Sequence, residues 1–175
     1  VSVIIPTNNR PALLREAMAS IRALEGPDLA FEILVGDNGV APETAVVAAE
    51  FGARYFKVEK SGAGPARNAG LRAATGDYFT FLDDDDVWLP GNIRPHLAQL
   101  NARPELDAVI GQVVYADMNL KPVGSPVPAK SPGEGDDMVR AMLGEWFPQV
   151  GTTLARIHAR ERAGLFCETH VHGED

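Results

Sequence analysis

The sequence predicts an α/β fold in which a mostly parallel sheet is sandwiched by helices. Short runs of β-branched and other apolar residues recur along the first half of the chain, as expected for buried strands. Segments with apolar residues at helical spacing lie between these runs, and proline or glycine marks their ends. Strands and helices that alternate in this way form βαβ units with right-handed crossovers, so we expect the strands to be parallel.

The first half of the chain is predicted to alternate strands with helices. Residues 1–6, VSVIIP, are short and almost wholly apolar, which is typical of a buried strand. Pro11 suits the first turn of the helix that follows, and Leu14, Met18 and Ile21 share its apolar face. The other predicted elements of this half are a strand at 31–37, a helix at 42–51, a strand at 53–58, a helix at 65–74 and a strand at 78–82.

The second half of the chain has a looser pattern. Prolines and glycines crowd residues 121–137, which predicts a long, mobile loop. We expect one domain over residues 1–175, and because the chain stops at Asp175 without an ending signal, we expect it to be trimmed at the C-terminus. The predicted elements here are a helix at 92–101, a strand within 106–117, a short helix at 136–144, a strand at 152–157 and a short helix at 158–164.

The composition is that of an ordinary globular protein and argues against several classes. The 175 residues are 45% apolar and 23% charged, enough for a core that needs no structural metal. Cys167 is the one cysteine, which precludes an intrachain disulfide and a thiolate zinc site and fits a reducing compartment. A net charge of −8 argues against nucleic-acid binding, and no apolar stretch reaches the ~20 residues of a membrane span. We expect a cytoplasmic protein, in the cytoplasm or at the cytoplasmic face of a membrane.

Polar residues follow three of the predicted strands of the first half. They occupy positions 7–10, 37–39 and 83–86, and Arg67 falls in the first turns of the predicted helix at 65–74. Ligands of open α/β sheets bind in the crevice at the carboxyl ends of the strands. We therefore expect these polar residues to meet at one rim of the sheet.

Residues 83–86 are four consecutive aspartates. Two unit charges about 4 Å apart repel by about 1 kcal/mol even in water, so either solvent surrounds a plain acidic turn or a cation binds there. Asp83 and Asp85 can point the same way and share one divalent ion, and carboxylate oxygens suit Mg²⁺ or Mn²⁺. Three common motifs do not fit: Arg67 replaces the third glycine of a dinucleotide fingerprint, a P-loop is lacking, and Trp88 stands where an EF-hand needs glycine.

Five motifs together resemble glycosyltransferase family 2, whose members have the GT-A fold. In chain order they are VSVIIPTNNRP, ILVGDNG, GPARNAGL, FLDDDDVWLP and HGED, and they cover nearly the whole chain. The resemblance implies a single GT-A catalytic domain with a nucleotide-binding half at 1–90 and an acceptor-side half at 91–175. It also implies a nucleotide-diphospho-sugar donor, a UDP-sugar by default, and a saccharide or other hydroxyl acceptor.

The resemblance further implies roles for particular residues. In the D-x-D element of the family one carboxylate meets the ribose and another the metal. This maps Asp83 and Asp84 to the ribose side and Asp85, with Asp83, to Mn²⁺ or Mg²⁺, although the division among the three stays open. The E-D pair of the family, whose aspartate is the catalytic base, matches Glu174 and Asp175. The other implied nucleotide contacts are Thr7, Asn9, Arg10, Asp37, Asn38 and Arg67.

The implied reaction is a single displacement at the anomeric carbon of the donor sugar. A metal ion held by Asp85 neutralises the leaving diphosphate, and Asp175 accepts the proton of the acceptor hydroxyl as general base. Attack on the face opposite the leaving group inverts the anomeric carbon and needs no covalent enzyme intermediate.

Two departures from the family pattern leave alternatives open. Many members have an aromatic residue at the position of Asn8 and a second carboxylate at that of Asn38, so guanine or thymine stays open beside uracil. The alternative functions are a nucleotide-sugar-binding domain with impaired catalysis and, ranked lower because PTNNRP lacks a basic glycine-rich loop, a sugar nucleotidyltransferase. His170 and His172 offer either an additional metal ligand or ordinary loop histidines.

Overall fold

The computed structural model describes residues 1–131, 133–143 and 148–169, and its mixed α/β architecture confirms the predicted fold class. Within these residues the strands are β1 (Ser2–Thr7), β2 (Glu32–Asp37), β3 (Arg54–Lys57), β4 (Tyr78–Phe81), β5 (Ala108–Ile110) and β6 (Thr153–Arg156). The helices are α1 (Pro11–Arg22), α2 (Glu43–Glu50), α3 (Ala63–Ala73), α4 (Ile93–Ala102), α5 (Asp136–Leu143) and α6 (Ala159–Ala163), and a 3₁₀ turn covers Val150–Thr152.

The strands form one mostly parallel sheet in the order β3-β2-β1-β4-β6-β5. β1 pairs in parallel with β2 and β4, and β2 pairs in parallel with β3. β6 runs antiparallel between β4 and β5. The chain moves outward from β1 through β2 to β3 and then returns to β4 on the other side of β1. This reversal of direction opens a crevice beyond the carboxyl ends of β1, β2 and β4.

Helices cover both faces of the sheet, and β1 is buried along its whole length between them. Successive side chains of β1 point to opposite faces. Val3 and Ile5 pack on one face with residues of α1 and α2, whereas Ile4 packs on the other with Leu71 of α3. The helices thus use their apolar faces to cover the sheet, and none of those described is long and apolar enough to cross a membrane.

The structure differs from the sequence prediction in two places. Helix α3 begins at Ala63, two residues before the predicted start, because proline needs no hydrogen-bond partner for its nitrogen in a first turn. Part of the predicted loop at 121–137 pairs with the preceding segment. Val113 and Val127 exchange backbone hydrogen bonds of 2.9 and 2.8 Å, and Val123 N–H donates to the carbonyl of Tyr115 at 2.7 Å. The abundant turn residues hide this hairpin in the sequence.

A hydrogen-bond cluster around Glu32 joins the amino edge of the sheet. Ser2 Oγ donates to Glu32 Oε2 at 2.6 Å, and Arg54 Nη1 pairs with Oε1 at 2.7 Å. The N–H of Thr75 donates to Oε2 at 2.9 Å, which attaches the turn between α3 and β4. Desolvation opposes ionisation, but these hydrogen bonds prevail and lower the pKa of Glu32 to about 2. The charged carboxylate therefore stabilises the folded state at neutral pH.

We expect Glu32→Gln to lower the free energy of unfolding by about 1–3 kcal/mol at neutral pH, because several donors lose a charged acceptor. A lowered pKa stabilises above the unfolded value of 4.5, and this contribution is lost as the pH falls toward 2. Urea denaturation should therefore show the two proteins converging as the pH is lowered. Glu105→Gln is the control, since Glu105 pairs with Arg103 on the exposed surface. A gap between wild type and Glu32→Gln that does not shrink in acid would contradict this account.

Candidate functional site

A cleft of about 330 Å³ opens at the carboxyl edge of the sheet, where β1, β2 and β4 end. Its walls come from the loops that follow these strands and from the first turns of α3. Most of the polar residues predicted to meet at one rim are among its lining residues. The lining comprises Pro6, Thr7, Asn8, Arg10, Asn38, Ser61, Gly62, Ala63, Ala66, Arg67, Asp83, Asp84 and Asp85.

Asp84 is the most buried carboxylate of the cleft, with 1% of its surface exposed. Thr7 Oγ1 donates to Asp84 Oδ2 at 2.6 Å. Arg10 spans the carboxylate, with Nη2 2.7 Å from Oδ1 and Nε 3.2 Å from Oδ2. Desolvation raises the pKa of Asp84 above its ordinary value, although the contacts with Thr7 and Arg10 oppose this rise. These contacts fasten the end of β1 to the loop after β4.

Arg10 and Arg67 also pair with the two other aspartates that line the cleft. Arg10 Nη1 lies 2.7 Å from Asp85 Oδ2, and Arg67 Nη2 donates to Asp83 Oδ1 at 2.9 Å. Guanidinium groups bind phosphate oxygens as well as carboxylates, often through two parallel hydrogen bonds. The cleft therefore offers positive groups to a diphosphate and negative groups to a cation at neighbouring positions.

The fourth aspartate of the run differs from the other three. Asp86 is not among the lining residues. Desolvation, followed by the charges of Asp83, Asp85 and Asp84, raises the pKa of Asp86 to about 6. The structure thus separates the acidic run into three carboxylates that line the cleft and one that does not.

Asn38 lines the cleft, and backbone carbonyl groups orient its side-chain amide. Its Nδ2 donates to the carbonyl oxygens of Gly62 at 2.6 Å and Lys60 at 3.4 Å. The opposite orientation would set the amide oxygen against two carbonyl oxygens, so the nitrogen is committed to the loop after β3. The amide oxygen is therefore the group that Asn38 can offer to a ligand.

Asp37 and Asn9, both predicted to contact a nucleotide, are not among the cleft-lining residues. Asp37 is fully buried and accepts hydrogen bonds from Gly39 N–H and Tyr55 Oη, both at 2.7 Å. Asn9 Oδ1 accepts from the N–H groups of Val40 at 2.6 Å and of Ala41 at 2.9 Å. Asn9 thus joins the loop after β1 to the loop after β2, and Asp37 joins the end of β2 to β3.

Helix α3 reaches the cleft because glycine lets it approach the sheet closely. A Cβ atom on Gly36 of β2 would overlap the carbonyl oxygen of Ala66, and one on Gly70 would lie 2.6 Å from Cγ2 of Ile4. At this separation the buried side chain of Arg67 reaches Asp83 across the end of the sheet. The placement of Arg67 therefore depends on the absence of a side chain at Gly36.

Three residues next to the site were not assigned a role from the sequence. Tyr55 holds Asp37, and desolvation, followed by the hydrogen bond to that carboxylate, raises the pKa of Tyr55 to about 12. Asn68 is fully buried and bonds to residue Phe166, far along the chain. Asn68 lies in the GPARNAGL motif, so the sequence contained a signal that could have identified it. The partners of Tyr55 and Phe166 depend on tertiary contacts.

The carboxylates of the cleft match a divalent metal ion in chemical type but form only part of a ligand set. Asp83 and Asp85 present hard oxygen ligands of the kind that Mg²⁺ and Mn²⁺ prefer. Within residues 1–131, 133–143 and 148–169, no group of three or more His, Cys, Asp or Glu side chains is arranged to hold a metal ion. A metal ion bound here would therefore need further oxygen ligands from phosphate or water.

Several predicted residues lie outside the described part of the chain. They are the proposed general base Asp175, its neighbour Glu174, and the two histidines considered as metal ligands, His170 and His172. The last described residues before them are 166–169, which follow the short helix α6 and pack against α3.

A family model described as glycosyl transferase family 2 matches residues 2–147. An uncharacterized glycosyltransferase of Rickettsia typhi is 33% identical over 112 residues, which cover 63% of this chain and 35% of that protein. The GalNAc(5)-diNAcBac-PP-undecaprenol beta-1,3-glucosyltransferase of Campylobacter jejuni is 36% identical over 108 residues, 58% of this chain and 34% of that protein. The matched segment thus spans about a third of the length of these relatives.

Solved structures show the same architecture at low sequence identity. Staphylococcus aureus TarS 1–349 in complex with UDP-GlcNAc has a TM-score of 0.71 and 20% identity, covering 99% of this chain and 50% of that one. A mannosyltransferase from Pyrobaculum calidifontis, in complex with GDP-Man and Mn²⁺, has a TM-score of 0.65 and 20% identity, covering 96% of this chain and 47% of that one. The fold is therefore the GT-A fold.

We expect Gly36→Ala to lower the free energy of unfolding by about 1–3 kcal/mol, because the added Cβ forces α3 away from β2. Urea denaturation measures the change. Gly151→Ala is the matched control, since its Cβ would have no heavy atom of another residue closer than 3.8 Å. Equal stability of the two variants would show that α3 is not held at the distance described.

Proposed function

The chain belongs to glycosyl transferase family 2, and on this premise we propose that it transfers a sugar from a nucleotide-diphospho-sugar to an acceptor hydroxyl, with inversion at the anomeric carbon. One observation supports this most directly: Arg10 and Arg67 meet Asp83 and Asp85 in a cleft at the carboxyl edge of the sheet. A sugar diphosphate with a divalent cation has the complementary arrangement of charges.

We propose that the two arginines act on the diphosphate and the aspartates on the metal ion and ribose. When donor enters, its phosphate oxygens compete with Asp83 and Asp85 for the guanidinium groups, which releases these carboxylates toward a cation. A divalent ion bound to Asp85 and Asp83 would supply electrostatic stabilisation of the leaving diphosphate. Asp84 is buried and already bonded to Thr7 and Arg10. Its proposed part is to hold Arg10 and Thr7 in place beside the ribose.

Asn38 is proposed to select the base of the donor. Because its nitrogen is bonded to Gly62 and Lys60, it presents an acceptor to the cleft. Uracil and thymine have an N–H at N3 and guanine has one at N1, whereas cytosine N3 and adenine N1 are acceptors. Among solved proteins of this fold, TarS was determined with UDP-GlcNAc and the Pyrobaculum mannosyltransferase with GDP-Man. A uracil donor remains our default, with guanine and thymine as the alternatives.

The general base and the acceptor are assigned by resemblance. Asp175 is proposed to accept the proton of the acceptor hydroxyl, and residues 91–175 to form the acceptor-side half of the domain. The Campylobacter relative is named for action on an undecaprenol-linked saccharide. We propose a hydroxyl of a saccharide or similar acceptor for this chain, at the cytoplasmic face of a membrane or in the cytoplasm, which cell fractionation would test.

We expect calorimetric titration to show nucleotide binding that depends on the metal ion. UDP, GDP and dTDP would each be titrated into the protein with Mn²⁺ and again with EDTA. One of them should bind at least about tenfold more tightly with Mn²⁺, since the ion neutralises repulsion between diphosphate and carboxylates. Asp85→Asn should abolish most of this difference.

Asp107→Asn is the matched control for Asp85→Asn. Asp107 also pairs with an arginine, Arg162, at 2.6 Å, and is similarly exposed, but it lies on the edge of the sheet away from the cleft. Equal binding with Mn²⁺ and with EDTA would overturn the metal role. Binding without sugar transfer would favour the impaired binding domain, and pyrophosphate release from a nucleoside triphosphate and sugar phosphate would favour a nucleotidyltransferase.

We expect the protein to prefer UDP to CDP by at least about tenfold, because these ligands differ only at the base edge. Asn38→Leu should reduce the preference to about threefold or less by removing the acceptor oxygen. Asn8→Leu, also at the cleft, should change both affinities alike, which controls for general effects of an apolar side chain. Competition calorimetry with the two nucleotides measures the ratio, and an unchanged ratio in Asn38→Leu would refute base selection by Asn38.

A further inference from the structure

Asn38, the residue proposed to select the base, lies in a turn that its two neighbours close around it. We call residues 37–39 the base turn. Asp37 Oδ1 accepts from the N–H of Gly39 at 2.7 Å, which joins the two ends of the base turn. The N–H of Asn38 itself donates to the carbonyl oxygen of Thr7 at 3.2 Å. The conformation of the base turn therefore determines where the side chain of Asn38 begins and which way its amide can point.

Strand β3 supplies two side chains that contact the base turn. Tyr55 and Lys57 lie on the same face of the strand, because side chains two residues apart in a strand point to the same side. Tyr55 Oη donates to Asp37 Oδ2 at 2.7 Å, and Lys57 Nζ donates to the carbonyl oxygen of Gly39. Neither Tyr55 nor Lys57 lines the cleft, so an effect of either side chain on a bound base has to pass through the base turn.

The hydroxyl of Tyr55 satisfies a carboxylate oxygen that is closed off from solvent. Asp37 is fully buried, and Lys57 Nζ lies 3.8 Å from Oδ2, which is too far for a hydrogen bond. Desolvation, followed by the hydrogen bond to Asp37, raises the pKa of Tyr55 to about 12, so the hydroxyl keeps its proton at neutral pH. A buried acceptor that loses its donor is unfavourable, so without Tyr55 Oη the carboxylate should turn away and release Gly39.

The base turn is also packed against the neighbouring loops. A Cβ atom on Gly39 would lie 2.5 Å from the backbone nitrogen of Asn9, in the loop after β1. Asn38 Nδ2 donates to the carbonyl oxygen of Gly62, in the loop after β3, at 2.6 Å. These contacts remain when the hydroxyl of Tyr55 is removed, so the expected effect is a loosened turn in a folded protein.

We propose that Tyr55 and Lys57 are positioning residues for base selection: they hold the base turn so that the amide oxygen of Asn38 can accept from the N–H of the base. This inference rests on the proposed function, because it assumes that Asn38 selects the base. Hydrogen bonds weaken steeply as their angle departs from linear, so a small rotation of the base turn is enough to lose the contact. A loosened turn should therefore weaken the binding of UDP, whereas CDP, whose N3 is an acceptor, should lose little.

The test compares Tyr55→Phe with wild type and with Tyr78→Phe. Tyr78 is also half-buried, and its Oη also donates to a side-chain oxygen at 2.7 Å, that of Asn101. It lies at the start of β4, at the end of that strand away from the cleft. In competition calorimetry with Mn²⁺, wild type and Tyr78→Phe should prefer UDP to CDP by at least about tenfold. In Tyr55→Phe the preference should fall to about threefold or less, through weaker binding of UDP at nearly constant affinity for CDP.

A double-mutant cycle tests whether Tyr55 acts through Asn38. If it does, adding Tyr55→Phe to Asn38→Leu should leave the ratio of the two affinities within about 1.5-fold of that in Asn38→Leu alone. A further fall of the ratio in the double variant would overturn the inference. Equal losses of UDP and CDP affinity in Tyr55→Phe would do the same, because they would indicate general damage to the cleft.

Lys57→Met keeps the inference testable if Tyr55→Phe fails to fold, because it removes the other contact between β3 and the base turn. The lost positive charge affects UDP and CDP alike and cancels in the ratio, so the preference should fall by about half or more only if the turn has loosened. An unchanged ratio in either variant would overturn the positioning role. A wild-type protein without preference for UDP would instead reject base selection by Asn38, which belongs to the proposed function.

Discussion

Helix α3 approaches β1 and β2 more closely than a side chain at Gly36 would allow, and the placement of Arg67 and Asn68 depends on this contact. The helix brings its N-terminal turns to the end of the sheet, where Arg67 meets Asp83. The next residue, Asn68, donates to the carbonyl oxygen of Phe166. Two adjacent positions on one helix therefore contact different parts of the chain: Arg67 contacts the cleft, and Asn68 contacts the segment at 166–168.

Two arginines compensate three of the four charges of the acidic run. Arg10 spans the buried Asp84 and also reaches Asp85, while Arg67 pairs with Asp83. Such pairs hold the carboxylates in fixed orientations, and both arginines line the cleft. The same contacts fasten the loop after β4 to the loop after β1 and to α3.

Asn38 and Asn9 show how local hydrogen bonds determine whether a side-chain amide can donate to or accept from a ligand. Asn38 donates through its nitrogen to the loop after β3, so its oxygen is the group available to a ligand. Asn9 gives its oxygen to Val40 and Ala41 and so supports the loop after β2. Both asparagines were predicted to contact the nucleotide, but only Asn38 lines the cleft. Residue type alone does not separate these roles, because either amide could donate or accept.

The sequence by itself determined the alternation of strands and helices, since side-chain periodicity and the positions of proline and glycine are local properties. It also determined that 7–10, 37–39 and 83–86 lie at the carboxyl ends of strands, which places them at one edge of a parallel sheet. Only the tertiary structure decided that Asp37 is buried against Tyr55, that β6 runs antiparallel between β4 and β5, and that Phe166 bonds to Asn68. These contacts join residues far apart in the chain, and their geometry follows from how closely helices and strands pack, which no local pattern encodes.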